Sequence, residues 1–186
     1  MVKVKILYFF LSVVILLSCS ERDVKDCSMV VFCLNETTDF NKNITCNDIK
    51  EMYIHSNCNE KQCDTVLVDV EDFESVKKVL TTSAVVDTLF HKEVRVYLTI
   101  NNTSYYITDK DLVLDEFGRH LNISDKSVYT IKSIIGYYNT LDLEILKEKA
   151  LIKKYGVPKG YIERKVPVKN FAEPKKIYTK IVIYIK

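Results

Sequence analysis

Apolar side chains recur along this chain with two different periods, and the change from one to the other marks its elements. Val94, Val96, Leu98 and Ile100 alternate with Arg95, Tyr97 and Thr99, the period of two that gives a strand one buried and one wetter face. A second run, Ser104 to Thr108, follows Asn101-Asn102-Thr103. Asparagine tolerates the left-handed conformation of tight turns, so the two runs are expected to form a hairpin. Near the C-terminus Ile177, Thr179, Ile181, Ile183 and Ile185 alternate with tyrosines, lysines and Val182, a pattern expected of an edge strand guarded by charge. Ser28 to Leu34 reads as a short strand, and Thr65 to Val68 is β-branched and continuous, as a buried strand would be.

Between these runs the period lengthens. Asn47 to His55 is expected to be a short helix capped by Asn47 or Asp48, and Asp69 or Asp72 caps a second in which Phe73, Val76 and Leu80 line one face. Lys126 to Tyr138 fits helix and strand equally. Asn139 or Thr140 opens a longer helix with Asp142 and Glu144 in its first turn and lysines toward its end, stopping at Gly156 with Pro158 beyond. Leu141, Ile145, Ile152 and Tyr155 form one stripe on it, and Leu143, Leu146 and Ala150 another. Strands and helices that do not alternate regularly predict an α+β fold, a small, largely antiparallel mixed sheet packed with two or three helices behind a Cys-rich N-terminal segment.

The first eighteen residues follow a different logic. Lys3 and Lys5 precede an uncharged run from Ile6 to Leu17, the basic-then-apolar layout of an export signal. That run is too short for an ordinary membrane span, which needs roughly 20 residues. It ends as Leu16-Leu17-Ser18-Cys19. These four residues resemble the lipobox of bacterial lipoproteins, with Leu17 in place of the usual small residue at the second position. The resemblance implies that the Cys19 thiol is alkylated with diacylglycerol, that cleavage just before it makes Cys19 the mature first residue, and that its new amino group is acylated. Two or more acyl chains, at about 0.8 kcal/mol per buried methylene, hold a protein stably at a bilayer. Ser20 is not the Asp that resembles an inner-membrane retention signal, which by analogy favours the outer membrane, and Glu21 and Asp23 resemble an outward-export signal. The expected division is residues 1–18 as signal peptide, 19–27 as tether and 28–186 as one α+β domain.

Charge changes the picture only along the chain. Residues 19–125 hold 11 basic and 20 acidic side chains and residues 126–186 hold 14 and 5, so the two parts carry −9 and +9. Interleaving of the parts in one domain neutralises most of this, while a basic face would meet an anionic partner. The expected partners are the membrane, through the anchor, and a protein or glycan, with no nucleic acid.

Cys27, Cys33, Cys46, Cys58 and Cys63 all precede residue 64. In an oxidising compartment they are expected to form up to two disulfides with one thiol left over, and spacing does not choose the pairs. A zinc site from His55, Cys58, Cys63 and Cys46 lacks the tight paired spacing that zinc sites show. Asp39, Asn41, Asn43 and Thr45 begin like a calcium loop, but Ile44 and Lys50 stand where glycine and glutamate are needed. Asp109, Asp111, Asp115 and Glu116 lack that spacing altogether. No metal or cofactor is expected. His55, His91 and His120 lie in no recognised nucleophile setting, four scattered glycines make no phosphate loop, and no catalytic residue is assigned.

The reading that follows is a lipid-anchored envelope lipoprotein that binds or interacts rather than catalyses. Two rivals stand beside it. Five N-x-[ST] sequons, at Asn35, Asn43, Asn101, Asn102 and Asn122, against about 1.4 expected from composition, suggest a secreted disulfide-containing glycoprotein of a eukaryote or virus. An envelope hydrolase whose site is assembled across the fold is the other.

Overall fold

Two strands buried on both faces set the architecture. The computed structural model describes residues 27–35, 40, 43–56, 63–86, 93–162 and 178–186. Strand β1 (Cys27–Leu34) pairs antiparallel with β4 (Val94–Ile100). Both are covered on each side: Met29, Val31 and Cys33 face one cluster of buried side chains, Phe32 and Leu34 another. That double burial is why β1 shows no polar alternation.

The remaining strands are β2 (Asp64–Val68), β3 (Val85–Val86), β5 (Thr103–Thr108), β6 (Val113–Leu114), β7 (His120–Leu121) and β8 (Tyr178–Ile185). They complete an eight-stranded sheet in the order β2-β8-β1-β4-β5-β6-β7-β3. Every pairing is antiparallel except β2 with β8. The sheet is therefore mixed and largely antiparallel, and the α+β expectation holds.

Among the described residues five helices flank it: α1 (Cys46–His55), α2 (Val70–Thr82), α3 (Asp125–Ile134), α4 (Leu143–Glu148) and α5 (Ala150–Tyr155). The larger cluster joins one sheet face to Phe73, Val76 and Leu80 of α2, Val128 and Ile131 of α3, Leu146 of α4, and Leu151 and Ile152 of α5. On the opposite face α1 contributes Ile49, with Met52 and Tyr53 packed against Phe32, Tyr97 and Tyr106. A bulge between Val94 and Val96 sends Val94 to the α1 side and Val96 to the other, the flip that one inserted residue imposes on a two-residue repeat.

The hairpin stands as the turn chemistry required. Asn101 and Asn102 sit at φ 48° and 65°, both positive as a type I′ connection demands, and Ile100 lies opposite Thr103. Residues 126–138, which fitted either period, begin as α3, started by the Ser124 hydroxyl accepting from the Ser127 amide.

Four expectations are corrected. Strand β8 is internal, not an edge: alternation reports which face a side chain takes, whereas edge pairing runs in the plane of the sheet, at right angles to it. Strand β2 lies outermost instead, and it is not buried on both faces: Thr65 and Leu67 lie on an exposed face, and Val68 is its one buried residue. Helix α1 is capped by Thr45, not by Asn47 or Asp48; the Thr45 hydroxyl accepts from the Asp48 amide while the Asp48 carboxylate accepts from the Thr45 amide, a reciprocal capping box. The long helix from residue 139 is broken into a 3-10 turn at Tyr137–Thr140, α4 and α5, with extended backbone at Lys149 (φ −68°, ψ 133°). Leu141, Leu146 and Leu151 are all buried. At about 100° per residue a continuous helix would turn successive members of this five-residue series some 140° apart. The break lets all three reach the same core.

Candidate functional site

Of the residues singled out for lipid attachment and disulfides, Cys19 and Cys58 lie outside the described residues, as do His91 and Asp39. Cys27 opens β1 opposite Tyr184. Cys33 is buried on the face that carries α2 to α5, and Cys46 packs on the α1 face. A bridge between those two would have to pass through the sheet. Cys46 is a free thiol, and burial, with Asp115 nearby, pushes its pKa up to about 11. Cys63 is half-buried immediately before β2. Among the described residues no three of His, Cys, Asp and Glu converge as a metal site would require.

The described residues of the two acidic stretches do other work. Thr45 caps α1. Asp115 builds the turn between β6 and β7, accepting from the amides of Phe117 (3.0 Å) and Arg119 (2.8 Å) and from Arg119 Nε (2.7 Å). Phe117 stands 72% exposed at its tip, with the Arg119 guanidinium 4.9 Å from its ring. His55 is exposed at the end of α1.

Among the described residues the most heavily buried charge lies where the sequence pattern assigned nothing. Lys132, on the buried stripe of α3 beside Ile131 and Ile135, is 3% exposed. Its ammonium is bonded to the Asp111 carboxylate and lies 4.3 Å from the centre of the Tyr137 ring. Asp111 occupies the loop between β5 and β6 at φ 61°. The neighbouring Tyr138 hydroxyl is buried without a hydrogen-bond partner, and burial, reinforced by Asp111, raises its pKa. The cluster ties the β5–β6 loop to α3 and the 3-10 turn. Its one signal in the sequence is a lysine on the core side of an otherwise apolar stripe, visible only once the helical period is known.

A second assembly is exposed. The Lys126 ammonium sits 4.9 Å and 4.8 Å from the rings of Tyr129 and Tyr155, and Lys154 lies 5.3 Å from Tyr155. The Tyr129 hydroxyl donates to the Gly156 carbonyl (3.1 Å), which fixes the loop after α5 against α3. Such an arrangement presents ammonium groups and aromatic rings together at the surface. Another feature is the shallow depression at the start of α2, lined by Asp69, Val70, Glu71, Asp72 and Lys186. Among the described residues no helix is long and apolar enough to cross a membrane. Compared with known proteins, the chain matches no family model, no curated protein and no solved structure.

Proposed function

We propose that this chain is a cell-envelope lipoprotein, held at the outer membrane by acyl chains on Cys19, that acts by binding a protein or glycan rather than by catalysis. The observation that carries the reading is the uncharged run Ile6–Leu17 closing on Leu16-Leu17-Ser18-Cys19 behind two lysines. Its chemistry is that of a thiolate nucleophile toward a lipid donor, and its physical result is retention by more than one chain. The exposed lysine–tyrosine surface at α3 and α5 supports a binding role. Metabolic labelling with a fatty-acid probe is expected to mark the wild-type protein and not Cys19→Ala. Equal labelling of the two refutes the anchor.

One observation favours a second reading, a secreted glycoprotein. All five sequon asparagines, Asn35, Asn43, Asn101, Asn102 and Asn122, are exposed, as glycan acceptors must be. A mobility shift of native material on glycosidase treatment would establish it, and an unshifted band removes it.

A further inference from the structure

We propose that the surface formed by the α3 N-terminus and the loop after α5 docks against an anionic phospholipid bilayer, so that the anchored protein lies with this face on the membrane. The inference rests on the lipoprotein reading for its biological setting, although the surface itself is independent of it.

Residues 153–162, KKYGVPKGYI, contain three lysines and no acid. Two apolar side chains in this stretch are open to solvent, Val157 at 44% and Ile162 at 73%. The stretch is held at both ends. The Tyr129 hydroxyl binds the Gly156 carbonyl at 3.1 Å, the Tyr161 hydroxyl donates to the Leu141 carbonyl at 3.1 Å, and the Ile162 amide donates to Asn139 Oδ1 at 3.3 Å. Lys126 extends from α3 onto the same surface through its contacts with Tyr129 and Tyr155.

Two carboxylates belong to the patch. Asp125 pairs with Lys154 at 2.7 Å and Glu148 with Lys153 at 2.6 Å. Four lysines against these two acids leave a surplus of two positive charges, carried by Lys126 and Lys159. Exposed apolar groups among lysines are what an interfacial surface needs: the apolar groups enter the headgroup region and the ammonium groups meet lipid phosphates. The exposed Asp69, Glu71 and Asp72 at the start of α2 belong to the acidic part of the chain. Within the patch Asp125 and Glu148 are each paired with a lysine, so the charge that such a bilayer would repel is neutralised there.

The test uses the mature chain from residue 19 with Cys19→Ser, which contains every described element and cannot be acylated at that position. Co-sedimentation is measured with phosphatidylcholine vesicles and with vesicles in which about a third of the lipid is phosphatidylglycerol, at low and physiological salt. Binding to the anionic vesicles alone, weakened by salt, is expected. At about fivefold per lysine near a charged surface, Lys126→Gln with Lys159→Gln should lower the partition coefficient about 25-fold, and Lys159→Gln alone, which touches no packed ring, about fivefold. Lys50→Gln with Lys78→Gln, exposed lysines on α1 and α2, should change it less than twofold; far-UV circular dichroism checks the fold of each. Equal binding to both vesicles, no binding to either, undiminished binding by the patch variants, or an equal loss in the control pair each overturn the proposal. So does retention on an immobilised acidic polysaccharide with no binding to vesicles, which would make a glycan the partner. Because the protein here carries no lipid, the result is separate from the fatty-acid labelling: either experiment can fail while the other succeeds.

Discussion

Removing the charge from Asp111 while leaving Lys132 in place should be among the most damaging polar changes this protein can suffer. Asparagine is the informative substitute, because it tolerates the positive φ of 61° at this position and keeps an oxygen to accept from the ammonium. What it cannot supply is a compensating charge for a side chain that is 4% exposed. Breaking a buried pair from one side costs about 3–5 kcal/mol; the retained hydrogen bond and the Tyr137 ring soften this to about 2–4 kcal/mol. Lys132→Met keeps the packed stem and leaves the bare charge on Asp111, which is 18% exposed and can gather water, so about 1–2 kcal/mol is expected. The double variant removes both charges and should cost no more than Asp111→Asn alone, a coupling of about 1–3 kcal/mol. Urea unfolding followed by circular dichroism measures it: with a slope near 2 kcal/mol per molar, Asp111→Asn should lower the midpoint by about 1–2 M. Single costs that simply add would refute the claim that the two groups act as a pair, and a loss below about 0.5 kcal/mol in Asp111→Asn would refute the burial argument.

Three further outcomes follow from the packing. Gly136 stands at φ +74°, and a Cβ there would meet Val66 Cγ2 at 3.1 Å, so Gly136→Ala should lose about 1–3 kcal/mol in the same unfolding assay. Thr45→Ala removes half of the α1 capping box and should cost about 1 kcal/mol, whereas Thr45→Ser should restore most of it. The Cys46 thiol, raised from 9.0 to about 11, holds its proton more tightly in the folded than in the unfolded chain. Its contribution is therefore full below pH 9 and is lost as pH rises toward 11, so unfolding midpoints measured across pH 8–11 should fall less in Cys46→Ala than in the wild type.

How far the chain could be read depended on whether a signal was local. The Asn101-Asn102 turn was legible because its chemistry resides in two adjacent residues, and the α2 stripe because Phe73, Val76 and Leu80 span two turns without interruption. The α4–α5 break was not, since nothing at Lys149 forbids helix; only the need to bury Leu141, Leu146 and Leu151 together imposes it. The exchange of edge between β2 and β8 is invisible for the same reason: which strand lies outermost is settled by pairing across more than a hundred residues. Nothing local distinguishes Lys132 from a surface lysine, since its burial follows from the docking of its helix and its partner lies 21 residues earlier. Cys19 is the opposite case, a short local pattern that we propose marks an address and not a fold.

The place of β8 governs the order in which the molecule can assemble. Lying between β1 and β2, it is the strand to which both of those early strands are hydrogen-bonded. A ribosome must therefore deliver residues 178–185 before that flank of the sheet can close. Until then β1 has a pairing partner on one side alone, β4.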